Sequence, residues 1–182
     1  MTSALEIVRN EHRDIARLLH ALEDLAEDDA VLARGVKSGL IASMLHRLRV
    51  FPYAIHHPKE ERHLFPTVMA KDANVVALVA ALVKEHAMGY ALLREVEVAL
   101  AAAGGEKDRA RLKEAIFAYV GHKLRHMERE EKEILPIAEE MFDAETLASL
   151  QRAFAANNKS VLEDKARMGL AAHNHNNHGE SS

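Results

Sequence analysis

The stretch that decides the fold is His56-His57-Pro58-Lys59-Glu60-Glu61-Arg62-His63-Leu64-Phe65-Pro66, because its framework returns later in the chain. His126-x-x-x-Glu130-Glu131 ends at Pro136 with the same spacing as His56-x-x-x-Glu60-Glu61 and Pro66. A second pair repeats as well. Glu11-His12 and Glu85-His86 are each followed six residues later by a Leu-Leu pair, Leu18-Leu19 and Leu92-Leu93. The offsets, 70 residues for the first pair and 74 for the second, make one half of the domain look like a copy of the other. Residues four apart on a helix sit about 40° apart around its axis and about 6 Å apart along it. Each His-x-x-x-Glu can therefore present both side chains to one interior volume.

Working outward, apolar residues recur at helical steps and no useful period-2 alternation appears. A first helix starts at Ser3, with Glu6 completing a capping box, and carries Leu5, Val8, His12, Ile15, Leu19 and Leu22 on one stripe until Asp28-Asp29. A second stretch runs from about Val36 to Val50. Phe51-Pro52 interrupts or kinks it, since proline lacks the N–H that would bond four residues back, and Tyr53 to about Phe65 continues it. Asn74 can cap a third helix to Ala103, stopped by Gly104-Gly105. A fourth, from about Asp108 to Ile134, carries Leu112, Ile116, Tyr119, His122 and His126. Asp143 caps a shorter fifth helix ending at Asn157-Asn158. The fold expected is all-α: an up-down-up-down four-helix bundle with an additional C-terminal helix. Residues 1–156 form the bundle with its appended helix, and 157–182 a C-terminal extension that is His/Asn-rich and disordered at 171–182.

Composition removes several function classes. There are no cysteines among 182 residues, so disulfides, thiolate metal sites, cysteine nucleophiles and the usual iron–sulfur ligands are out. The balance of 24 basic against 28 acidic residues shows no basic stripe for nucleic acid. The longest apolar stretch, Val75 to Val83, is about half of what a spanning helix needs, and no signal peptide is visible at the N-terminus. These features predict a cytoplasmic protein with no nucleic-acid or membrane partner.

The candidate metal ligands are His12, His56, Glu60, His86, His126 and Glu130. Imidazole and carboxylate without sulfur suit iron best, then manganese or zinc, and six donors for two ions leave coordination positions open. Taken singly, a His-x-x-x-Glu is an ordinary surface pair worth a few tenths of a kcal/mol (about 0.2–0.5). Two such pairs with matched sequels, plus two matched Glu-His positions, are not. Ferritin-like bundles need Glu-x-x-His on two helices, and only Glu60-Glu61-Arg62-His63 fits. The His-Glu-x-x-His of zinc proteases is absent.

Neighbours of this set have alternatives. His122, one turn before His126, is a further ligand or a core partner. Tyr53 and Tyr90 either serve a metal-bound ligand or pack with their hydroxyls at the rim. His57, rotated about 100° from His56, faces a helix boundary or is a further ligand or neighbour of the ligands. Glu61 and Glu131 are partners of the ligands or surface charges, and a one-residue register slip would exchange them with Glu60 and Glu130. Glu11 and Glu85 orient ligand imidazoles or face solvent. His20, His46 and His63 read as surface residues, and the tail histidines His173, His175 and His178 either bind or deliver metal weakly or belong to a merely polar tail.

These motifs resemble the hemerythrin-like (HHE cation-binding) family over about Leu5 to Phe154. The resemblance implies a four-helix bundle around a non-haem di-iron centre, oxo- or hydroxo-bridged, with the six residues above as ligands. Oxygen-carrying hemerythrins have His-x-x-x-His on the third helix, where this chain has His86 and then Tyr90. They also have His-x-x-x-x-Asp on the fourth, where Glu130 stands one residue nearer. The pattern is closer to bacterial hemerythrin-like proteins associated with NO and oxidative stress. The resemblance thus implies binding or reduction of O2, NO or peroxide with an electron-donor partner. The alternative is a protein that stores or donates iron to an acceptor protein, including for repair of iron–sulfur centres.

Overall fold

The computed structural model describes residues 3–37 and 39–176, with side chains to 161. Among the described residues six helices follow one another: α1 (Ala4–Glu27), α2 (Asp29–Lys37), α3 (residues 40–71), α4 (Val76–Ala102), α5 (residues 106–141) and α6 (Ala144–Asn176). No strand occurs among the described residues. Helices α1, α3, α4 and α5 form the four-helix bundle, each packed on the next and α5 closing back onto α1. Ser3 and Glu6 make the expected capping box of α1.

Besides the passage of α3 and α5 through Pro66 and Pro136 to Lys71 and Met141, where ends near Phe65 and Ile134 were expected, three local features differ from the expectation. The first is α2, an added short helix that the Asp28 carboxylate opens by accepting from the backbone N–H of Ala30 and Val31. Gly39, at φ 72°, then turns the chain into α3. Second, Asp72 rather than Asn74 caps the approach to α4, and a 3-10 turn (Ala73–Val75) intervenes. Third, α6 does not stop at Asn157-Asn158 but continues to Asn176; residues 177–182, which include His178, lie outside the described residues.

Helix α3 contains three prolines and does not break. Instead it widens into π-helical turns at Phe51–His56 and Glu60–Leu64. In a π turn the N–H bonds five residues back, as in His57 to the Pro52 carbonyl and Phe65 to the Glu60 carbonyl. This absorbs the missing donor and the ring clash of a proline. Helix α5 repeats the device at Glu130–Ile134, where Leu135 bonds to the Glu130 carbonyl just before Pro136. The two matched prolines thus follow two matched π turns, each beginning at a candidate ligand glutamate.

The core is divided. One apolar cluster, including Ile15, Leu19, Leu48, Leu93, Ile116 and Tyr119, fills one end of the bundle. A second, including Leu5, Val8, Phe65, Leu82, Ile134 and Phe154, fills the other. The histidines and glutamates of the repeat form the layer between them. The segment Ala73–Ala102 is long and apolar enough by composition to cross a membrane. Here it is a bundle helix that turns Val79, Leu82, His86, Leu93 and Val96 inward.

Candidate metal centre

All six sequence-predicted ligands are buried and converge between the two apolar clusters. Helix α1 contributes His12, α3 contributes His56 and Glu60, α4 contributes His86, and α5 contributes His126 and Glu130. The Nε2 atoms face the two carboxylates. Glu60 Oε1 lies 3.1 Å from His56 and 3.5 Å from His12, while its Oε2 lies 3.4 Å from His86. Glu130 Oε1 lies 3.2 Å from His126 and 3.6 Å from His86, while its Oε2 lies 3.2 Å from His12. Each glutamate therefore reaches both halves of the site, one oxygen to each.

Among the described residues, ten buried side-chain N or O atoms lack a hydrogen-bond partner, and eight of them belong to this set: four imidazole Nε2 and four carboxylate oxygens. An unpaired buried polar atom is costly, so eight gathered in one place require a shared partner. Two donors each ~2.1 Å from one ion and at right angles are ~3.0 Å apart. The observed separations suit that arrangement. The donor set fits a metal.

The other imidazole nitrogen of each histidine is held by a carboxylate. His12 Nδ1 pairs with Glu131 at 3.1 Å and His86 Nδ1 with Glu61 at 2.6 Å. His56 Nδ1 pairs with Glu11 at 3.0 Å and His126 Nδ1 with Glu85 at 2.9 Å. Each such bond fixes the proton on Nδ1 and turns the Nε2 lone pair inward, as in carboxylate–histidine–metal triads. The four contacts obey the internal repeat, since Glu131–His12 mirrors Glu61–His86 and Glu11–His56 mirrors Glu85–His126. The register question is answered by burial. Glu60 and Glu130 are 0 % and 1 % exposed, whereas the side chains of Glu61 and Glu131 are each 41 % exposed.

Electrostatics follow from this crowding. Burial pushes the Glu60 and Glu130 carboxyls up, but the imidazoles around them prevail and hold both well below the usual carboxylate range. Burial likewise depresses His86, yet Glu130, Glu60 and Glu61 outweigh it and raise it to about 10. His12 is raised for the same reason, by Glu130, Glu131 and Glu60. Two of the outer glutamates, Glu11 and Glu85, have cations of their own. Lys59, fully buried, reaches Glu11, and Arg129 donates to Glu85 at 2.6 Å.

The other candidates are placed as follows. His122 is bonded through Nε2 to the Glu85 carbonyl at 2.8 Å, outside the donor set. Tyr90 is at the rim with its hydroxyl 3.2 Å from Arg49. Neither is best placed to bond a ligand at the centre. The Tyr53 hydroxyl is buried and faces that of Tyr119. His57 does not face a helix boundary; it is buried, with its ring stacked on His86. His20 and His46 are exposed, His63 is half-buried against Phe154, and the side chains of His173 and His175 are outside the described residues.

Sequence reasoning missed Lys59, Lys123 and Asn157. Lys123 shared the buried stripe, standing one turn beyond Tyr119, but a lysine there reads as a solvated end of the stripe. Asn157 donates its side-chain amide to the Ile55 carbonyl at 3.0 Å, one residue before His56, and no local pattern announces that contact.

The fold and the donor set together define a helical-bundle protein with an interior histidine–carboxylate metal-binding site. A model of the hemerythrin HHE cation-binding domain matches residues 3–138, and the chain belongs to that family. No curated protein and no solved structure matches it.

Proposed function

We propose that this chain is a cytoplasmic non-haem di-iron protein of the bacterial type that binds or reduces a small oxidant, O2, NO or peroxide, under redox or nitrosative stress. The supporting observation is the division of the eight orphan donor atoms into two sets. His12 and His56 share one side with Glu60 Oε1 and Glu130 Oε2; His86 and His126 share the other with Glu60 Oε2 and Glu130 Oε1. When bound, two iron ions would supply one-electron redox changes and open coordination positions for a small ligand. The protein's own part is to hold and to insulate. Glu60 and Glu130 span the two sides, the four outer glutamates hold the imidazole tautomers, and the apolar clusters keep bulk water from both ends of the layer.

Burial of all six candidate ligands, with a carboxylate behind every imidazole, favours retention of iron over its donation. Metal analysis with an optical spectrum tests the reading. Two irons per chain, with a near-ultraviolet charge-transfer band that bleaches on anaerobic reduction and changes with NO, is the expected result. One zinc, or a reduced protein indifferent to O2, NO and peroxide, would overturn it.

A further inference from the structure

The two halves of the centre are not equivalent. Where α5 has Met127, α3 has His57, and where α3 has Tyr53, α5 has Lys123. Both His57 and Lys123 are buried, and the Lys123 ammonium lies 2.9 Å from His57 Nε2. A ring nitrogen of His57 lies within 4.8 Å of donor atoms of His86 and His126. Yet the His57 and His86 rings are stacked, with centroids 3.7 Å apart and planes 8° apart. Two stacked, parallel imidazoles cannot both aim an in-plane lone pair at one point, so His57 would stand beside a metal held by His86 as a neighbour rather than a ligand. With Nε2 accepting from Lys123, the proton of a neutral His57 stands on Nδ1, which makes it a hydrogen-bond donor.

Gly89 leaves room for the Lys123 side chain. A Cβ on Gly89 would come 3.2 Å from Lys123 Cδ and 3.3 Å from the Tyr53 hydroxyl. The same side of the centre opens outward. A cleft of about 430 Å³ between α3 and α4 is walled by Tyr53, His57, Val83, His86, Ala87 and Tyr90. The cleft between α1 and α3, about 760 Å³, and that between α4 and α5, about 720 Å³, have no candidate ligand in their walls. Access and the donor therefore coincide on the His86–His126 side.

We propose that the α3–α4 cleft is the entrance by which a small ligand bearing an acceptor atom reaches the centre, and that His57, fixed by Lys123, donates a hydrogen bond to it there. Lys123 is in this account a positioning residue, and Ala87 a wall residue. The inference rests on the di-iron reading above.

Stopped-flow binding of azide to the iron-loaded, oxidised full chain tests it. Ala87→Trp, at an exposed wall position, slows association at least tenfold with iron content unchanged. Ala21→Trp, in the α1–α3 cleft, leaves association as in the parent. Lys123→Met, which keeps the buried volume and removes the donor to His57, speeds dissociation roughly three- to tenfold, the worth of one hydrogen bond, while association stays the same. An association rate within twofold of the parent for Ala87→Trp overturns the entrance. An unchanged dissociation rate for Lys123→Met overturns the role of His57. A parent protein that holds two irons and shows no response to azide overturns the function proposed above, and this inference with it.

Discussion

Lys59 and Arg129 occupy matching places in the repeat, and their difference in burial separates their energetics. Lys59 is wholly inside, facing a Glu11 carboxylate that also holds His56. Removing one partner of a buried pair leaves an uncompensated charge and costs about 3–5 kcal/mol. Arg129 is a third exposed and its pair with Glu85 is screened by water, so it contributes at most about 1 kcal/mol. Lys59→Met is therefore expected to lower the urea midpoint substantially while Arg129→Met barely moves it; equal effects would refute the contrast. The outer carboxylates act differently, through the imidazoles. Glu85→Gln and Glu61→Gln keep the shape of the side chain but lose the charge that holds Nδ1–H. Loss of such a partner costs about 10- to 100-fold in metal affinity. Competition with a chelator measures this, and parental affinity in both variants would mean that the Glu–His bonds do not orient the donors.

At the scale of elements, the two helices that carry a His-x-x-x-Glu are π-widened where their prolines require it, and α6 covers one of them. Helix α6 lies beyond the residues that match the family, yet Leu150 and Phe154 are buried in the second apolar cluster and Asn157 bonds the Ile55 carbonyl. Phe154 also lies under Lys59, whose ammonium is 5.9 Å from the ring centre. Truncating a buried phenylalanine costs about 3–5 kcal/mol, so Phe154→Ala should destabilise the chain by that amount in urea melts. A loss under 1 kcal/mol would show α6 to be a loose appendage.

Much of this architecture was legible. The doubled His-x-x-x-Glu and Glu-His words announced the helices and their inward faces, but the matched prolines read as helix ends, whereas α3 and α5 widen and run through them. Helix α2 was not legible, because nine residues with one glycine are too short to sustain a helical pattern, and Asp28-Asp29 before them read as a stop. Nor was the persistence of α6 through Asn157-Asn158. Asparagine costs a helix interior well under about 1 kcal/mol, and with no proline following it, continuation wins. The buried lysines stayed hidden because lysine inside a protein is rare unless paired, and the partners come from other helices.

For the whole molecule, a polar layer separates two apolar clusters, and what occupies that layer decides how well they cohere. Without metal the layer is held by charge pairing between imidazolium and carboxylate. His86, raised to about 10 from an ordinary value near 6.5, contributes stability that is complete below about pH 6.5 and disappears as pH rises through about 10. His12, also raised, acts in the same sense. Glu60 and Glu130, held below the ordinary carboxylate range, contribute above about pH 4.5 and lose that contribution as pH falls further. The metal-free protein should thus weaken from pH 7 toward pH 10. Metal needs the deprotonated Nε2 atoms, so its binding releases those protons and tightens over the same interval. A ligand at 100 times its dissociation constant adds about 2.7 kcal/mol, roughly 5–10 °C in Tm for a chain of this size. The Tm gap between loaded and metal-free protein should therefore widen steadily from pH 6.5 to pH 9.5 in calorimetry. A gap that stays constant or narrows would mean that the imidazoles are already neutral in the metal-free layer, and that the two clusters are held together across it by something other than these charges.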